Sequence, residues 1–271
     1  MRKILIIFIL FPSLLALCSI NVMGANYTGM WWDPAKLGMG IYIEHLEFSN
    51  CMCGSWYFYD ETGAPFWTTF WGKMVNDRLV SDLYAFTGPR FGSTWDSTLV
   101  KGVKVGEVTF VFNDTNSISM DFQVKGVAGS LNLVMFSLPE CPGWLWWDPN
   151  KPGQGVVIFP MSNIGMENEE LAVVWYTYDN AGNPVWYTAT GQPMLQGNLP
   201  VHHFTGPRLG TQWDVEHVLS VIVGSVYLTN VQKASVEFTE VPTIVNRMSY
   251  SIGGTTGNLT LNVFLCDSLC Q

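Results

Sequence analysis

Apolar side chains fall on alternate positions in short runs from Gly40 to Phe136, and the same rhythm returns from Val156 to Phe264. A period of two puts successive side chains on opposite faces of an extended chain, the signature of a half-buried strand. The pattern predicts strands at Gly40–Glu44, Ser55–Tyr59, Phe66–Phe70, Leu79–Phe86, Val105–Phe112, Ile118–Val124 and Leu131–Phe136. A second set is predicted at Val156–Phe159, Leu171–Tyr178, Val185–Ala189, Leu199–Phe204, Val223–Leu228, Ala234–Phe238 and Asn258–Phe264. No window of a dozen residues carries a convincing helical stripe. Short strands punctuated by Gly, Pro, Asn and Asp indicate antiparallel sheet built from sequential hairpins.

The two sets are copies. Trp31-Trp32-Asp33-Pro34, with Lys36, Gly38 and Gly40, returns as Trp146-Trp147-Asp148-Pro149, with Lys151, Gly153 and Gly155. Trp56-Tyr57-Phe58-Tyr59-Asp60, with Gly63, Pro65 and Trp67, returns as Trp175-Tyr176-Thr177-Tyr178-Asp179, with Gly182, Pro184 and Trp186. Phe86-Thr87-Gly88-Pro89-Arg90, with Trp95 and Asp96, returns as Phe204-Thr205-Gly206-Pro207-Arg208, with Trp213 and Asp214. Each copy must then be a comparable structural unit. The fold class expected is all-β: two tandem antiparallel meander barrels or curved sandwiches, of about seven or eight strands over roughly 115–130 residues each, an ordinary domain size. One continuous barrel made by both copies is the alternative. Gly129 and Gly257, at matching places before each last predicted strand, favour two separately closed units. The chain divides into a signal peptide (1–24), β repeat 1 (25–140) and β repeat 2 (141–271).

Local chemistry assigns several repeated residues to turns. Asp60-Glu61-Thr62-Gly63 and Asp179-Asn180-Ala181-Gly182 suit a type I turn closed by a Gly bulge, with Asp accepting from amides further on. Asp33 and Asp148 precede proline, which favours an extended or turn conformation.

The N-terminus reads as a secretory signal. Arg2 and Lys3 are basic, Ile4–Leu17 is apolar, and Val22-Met23-Gly24 offers a cleavage site before Ala25. The apolar run is shorter than the roughly 20 residues of a membrane span. Cys18 follows Leu17, where a lipidation signal needs a small residue, so a lipoprotein is not expected. Without Arg2 and Lys3 the chain keeps 22 acidic residues against eleven basic ones. Such a surface repels phosphate backbones, which argues against nucleic acid and anionic membranes as partners.

Export permits disulfides. The mature cysteines are Cys51, Cys53, Cys141, Cys266 and Cys270, an odd number. The preferred pairing involves the Cys266–Cys270 tail, internally or to Cys141, because a Cys51–Cys53 ring would be strained. Cys51 and Cys53 lack further metal ligands at recognisable spacing, so neither a metal nor a cofactor is expected.

The repeated blocks resemble a Trp-rich repeat of uncharacterised secreted proteins of Gram-negative bacteria. The resemblance implies export and a β-rich repeat and brings no activity with it. Gly29-Met30-Trp31 is similar to the first strand of lipocalins and avidins, an analogy for architecture only.

For chemistry, the copies can be compared with each other. Histidine is not duplicated: His45 belongs to copy one, and His202, His203 and His217 belong to copy two. Catalytic elbows, zinc pairs and phosphate loops are absent from the sequence. A carboxylate pair, Glu44 with Asp96, would be confined to copy one, since Phe159 replaces Glu44 in copy two. Binding fits the aromatics better: flat apolar faces with polar edges grip sugar rings or proteins. Trp31-Trp32 and Trp146-Trp147 cannot both point inward, so Trp32 and Trp147 are binding candidates. So are the tyrosine faces Tyr57, Tyr59, Tyr176 and Tyr178. Arg90 and Arg208 suit a carboxylate ligand, or pair with Asp96 and Asp214. The leading expectation is an exported non-enzymatic binding module, with a glycan or an envelope protein as partner. The alternatives are a structural envelope protein with its aromatics in the core, and a glycan-active hydrolase.

Overall fold

The computed structural model describes residues 26–136, 143–162, 170–229, 246–264 and 270. Copy one forms β1 (Gly29–Trp32), β2 (Gly40–Leu46), β3 (Cys51–Tyr59), β4 (Pro65–Lys73), β5 (Arg78–Thr87), β6 (Lys101–Asp114), β7 (Ser117–Val124) and β8 (Val127–Met135). Copy two forms β9 (Trp144–Trp147), β10 (Gly155–Ser162), β11 (Glu170–Tyr178), β12 (Pro184–Gly191), β13 (Asn198–Thr205), β14 (Leu219–Thr229), β15 (Asn246–Ile252) and β16 (Thr255–Val263). A single helical turn, Pro193–Gln196, separates β12 from β13. Each set is a closed up-and-down antiparallel barrel, in which the first strand also pairs with the last. Closure removes the free sheet edges that would otherwise invite pairing with other chains.

The expected strands lie inside observed ones, apart from Leu131–Phe136 and Asn258–Phe264, which run one residue past β8 and β16, and Ala234–Phe238, which is outside the described residues. Three strands went unread. β1 and β9 are the four-residue Trp-Trp segments, and β15 is polar in sequence. Gly129 and Gly257 sit within β8 and β16 rather than before them. A Cβ there would come within 2.7 Å of the Phe122 ring and 2.4 Å of the Tyr250 hydroxyl, so these glycines make room for an aromatic on the neighbouring strand.

Both barrels are closed by the same device. The first carboxylate oxygen of Asp33 accepts from the Ala35 amide at 2.9 Å and the second from Asn132 on β8 at 3.2 Å. Lys36 Nζ donates to the Ser130 carbonyl at 3.1 Å. Asp148 repeats this with Asn150 and Thr260, and Lys151 with the Asn258 carbonyl at 2.7 Å. The duplicated Asp and Lys therefore fasten the turn after the first strand onto the last strand.

Alternation sorts the aromatics. Trp31, Trp56, Phe58, Phe70 and Phe110 fill barrel one. Trp146, Trp175, Val173, Leu199 and Leu261 fill barrel two. The outward residues of β3 and β11 are buried as well, because a third apolar cluster lies between the barrels.

One disulfide joins Cys51 on β3 to Cys270, 219 residues away. The tail therefore bonds across to barrel one, correcting the expectation for Cys270 of a bond to Cys266 or Cys141. The reason lies in packing: Phe264, at the exit of β16, packs against the Cys51 and Cys53 cluster, which brings the chain end to β3. Cys53 is buried beside Cys51, whereas Cys141 and Cys266 lie outside the described residues.

Candidate functional site

The Asp-turns form as read. Gly63 N donates to the Asp60 carbonyl at 3.1 Å, Asp60 N to Ala64 at 2.9 Å, and Gly63 has a positive φ of 85°. Asp60 Oδ1 accepts from the Thr62 and Ala64 amides, and Asp179 does the same for Ala181 and Asn183. What the sequence concealed is the partner of each turn. Gly206 N donates to the Gly63 carbonyl at 3.0 Å and Leu209 N to Asp60 at 3.3 Å. Reciprocally, Gly88 N donates to the Gly182 carbonyl and Phe91 N to Asp179, both at 3.0 Å. Each Gly-Pro-Arg loop thus crosses to the other barrel and hydrogen-bonds its Asp-turn.

The crossing carries side chains with it. Phe91 packs on the core of barrel two, with its ring 5.8 Å from Trp175 and 5.6 Å from Tyr250. Leu209 packs on the core of barrel one. Trp67 Nε1 donates to the Thr177 carbonyl and Trp186 Nε1 to the Phe58 carbonyl, both at 3.0 Å. A Cβ on Gly88 would lie 2.1 Å from the Tyr178 ring, and one on Gly206 2.2 Å from Tyr59. Glycine is required at both places because the rings occupy the space of a side chain.

This contact places most of the proposed ligand residues. Tyr57, Tyr59, Tyr176 and Tyr178 are buried between the barrels, where Trp67 meets Tyr176 at 5.0 Å and Tyr59 meets Trp186 at 5.7 Å. Burial raises the pKa of all four hydroxyls. The expectation of an accessible tyrosine face is corrected: the faces cover each other. Trp31 and Trp146 point inward, and Trp32 and Trp147 are half-buried, with edge contacts to Phe136 and Phe264. One member of each pair therefore does reach the surface.

Arg90 and Arg208 are exposed. Neither forms an ion pair with its neighbouring Asp among the described residues. Those carboxylates cap the following turn: Asp96 accepts from Thr98 N, and Asp214 from Glu216 N. Asp214 also holds His217 Nδ1 at 2.9 Å.

Arg208, Thr211, Gln212, Trp213, Asp214 and His217 line an open cleft of about 600 Å³ together with Thr62 of the copy-one turn. The cleft lies where a copy-two loop crosses onto a copy-one turn. Trp213, half-buried in its lining, is stacked 6.1 Å from Tyr59. Its polar groups differ from those of the equivalent junction, where Leu99 replaces His217 and Thr94 replaces Gln212 on the copy-one loop, and Ala181 replaces Thr62 on the copy-two turn. The unduplicated His217 and the Thr62/Ala181 difference were the available signals, and only juxtaposition of the copies makes them meet.

The carboxylate pair is not brought together. Glu44 is buried on β2 and accepts from the Tyr42 hydroxyl at 2.6 Å, whereas Asp96 is an exposed cap. Burial raises the Glu44 pKa to about 7, against the lowering effect of the Tyr42 bond. His45 is buried, while His202 and His203 are half-buried on β13. Among the described residues, no cluster of three or more His, Cys, Asp and Glu side chains is placed to hold a metal ion.

No protein-family model, curated protein or solved structure matches this chain.

Proposed function

We propose that this chain is an exported, non-enzymatic binding protein of the cell envelope, and that the cleft around Arg208 takes its ligand. The supporting observation is the convergence of a guanidinium with no acidic partner among the described residues, a half-buried indole and several hydroxyl and amide groups at the junction of the two barrels. Binding sites favour such concave junctions, with a few placed polar groups among apolar and aromatic side chains. The Cys51–Cys270 bond fits an oxidising, exported location. No helix among the described residues is long and apolar enough to cross a membrane. Periplasm or cell exterior, and glycan in preference to protein, belong to the proposal. Retention of purified protein on insoluble envelope polysaccharide tests it, with Arg208→Ala expected to lose most of that retention. Equal retention of the variant refutes the cleft, and release of new reducing ends would replace the binder with a hydrolase.

A second reading is favoured by the burial of Tyr57, Tyr59, Trp67 and their counterparts: a structural envelope protein whose repeated aromatics only build the contact between barrels. Trp32→Ala and Trp147→Ala bear on that reading. Loss of stability without loss of retention supports it.

A further inference from the structure

We infer that the ligand group held by the cleft is a single carboxylate on a hydroxyl-bearing molecule, and that only the copy-two loop, seated on the copy-one turn, completes such a site; this rests on the binding reading above. Arg208 is the cation of the cleft that lacks an acidic partner among the described residues. A guanidinium presents parallel donors that match the two oxygens of a carboxylate. The surroundings disfavour a doubly charged phosphate. Asp214 also lines the cleft, with His217 Nδ1 at 2.9 Å from its carboxylate, and exposed Glu216 follows two residues on. The copy-one turn adds Glu61, whose charge is matched by Lys125 at 2.6 Å. One free positive charge in an acidic setting balances one negative charge, not two.

The remaining groups match hydroxyls. With Nδ1 of His217 directed at Asp214, Nε2 is the ring nitrogen left for a ligand. Thr62 and Thr211 donate their hydroxyl hydrogens to Asp60 Oδ1 and the Arg208 carbonyl, which leaves oxygen lone pairs as acceptors. Gln212 offers both donor and acceptor. The corresponding loop of copy one keeps Arg90 but faces Ala181 and carries Leu99, so it retains the cation without the His217 and Thr62 partners.

Titration calorimetry of the full-length mature protein tests this with four probes, and with inorganic phosphate as the comparison anion: a short oligogalacturonide, its methyl ester, a peptide with a free C-terminal carboxylate, and the same peptide amidated. The acid forms should bind and the neutral forms should be at least about tenfold weaker, the scale of a lost charge-assisted bond. Arg208→Ala should remove that preference, His217→Leu should weaken the oligogalacturonide, and Arg90→Ala should leave binding unchanged. Preference for the oligogalacturonide over the peptide supports an acidic glycan, and the reverse overturns the hydroxyl-bearing ligand in favour of a peptide terminus. Ester binding as tight as acid, tighter binding of inorganic phosphate, or equal loss in Arg90→Ala overturns the inference while leaving a binding cleft. Absence of binding by all four probes also overturns it. If the protein is then still retained on envelope polysaccharide through Arg208, the broader reading survives, and without that retention both fall.

Discussion

Glu44 shows how much one outward position of a barrel strand can differ from the same position in a twin. In copy two the residue is Phe159, buried in the cluster between the barrels. In copy one a carboxyl occupies that environment, with the Tyr42 hydroxyl donating to it at 2.6 Å. Burial disfavours the charged form more than this bond favours it, so its pKa rises from 4.5 to about 7. The sign for stability follows. Between those values the unfolded chain has released the proton and the folded chain still holds it, so stability is present below 4.5 and falls as pH rises through 7. A shift of this size corresponds to about 3 kcal/mol. Glu44→Gln should remove that part of the slope, leaving the variant more stable than the parent at pH 8 and closely similar near pH 4. Urea unfolding followed by tryptophan fluorescence at both pH values measures it, and parallel pH dependence in the two proteins would sink the idea. Glu44 was visible in the sequence only as half of a catalytic pair with Asp96. Alternation along β2 gives the direction of its side chain, but not that a second barrel lies on that side.

Among the elements, legibility follows the range of the interaction. The Asp60 and Asp179 turns were readable because every bond that defines them spans at most four residues. The strands with clean alternation were readable for the same local reason. β1 and β9 were not, since four residues ending in Asp-Pro look like a turn until β8 and β16 supply their partners. The loop exchange was hidden most completely: Gly88 and Gly182 are distant in sequence, and their bond leaves no periodicity. Phe91 and Leu209 occupy matching positions in the two copies, and each closes the other copy's barrel core. Phe91→Ala should therefore destabilise the protein by about 2 kcal/mol, less than the full cost of a core Phe because the ring is only partly covered. Its signature is location. The emission of Trp175 and the hydrogen exchange of barrel-two amides should change, although the mutated loop belongs to copy one. Leu209→Ala should mirror this on barrel one. Effects confined to the barrel that carries the substitution would show that the exchanged loops contribute nothing across the contact.

At the scale of the molecule, the duplication has the geometry of a two-fold dimer written into one chain. Tyr57 meets Trp186 as Trp67 meets Tyr176, Tyr59 meets Trp213 as Trp95 meets Tyr178, and the four backbone bonds from the loops come in two matching pairs. An isologous contact needs this kind of self-complementarity. The repeated Trp, Tyr, Gly and Asp are accordingly retained in both copies because each copy must act as donor and as receiver. Binding chemistry then belongs where the copies differ, as at Thr62 and His217. The symmetry makes a test possible. A protease site inserted between residues 136 and 143, in a Cys270→Ser background that removes the covalent tie to Cys51, allows the copies to be separated after folding. If the buried aromatic cluster holds the barrels together, the cut halves should co-elute as one species in size-exclusion chromatography, in low salt and in 1 M NaCl alike, because the contact is apolar and Debye screening acts on exposed charges. Exchange of a labelled copy-one half into unlabelled protein should be slow, since each barrel must first release the other's Phe91 or Leu209. Prompt separation into two stable monomers would mean that the aromatics repeated in each copy serve the separate barrels alone, and that the cleft formed by Arg208 and Thr62 depends on the chain connection rather than on the contact.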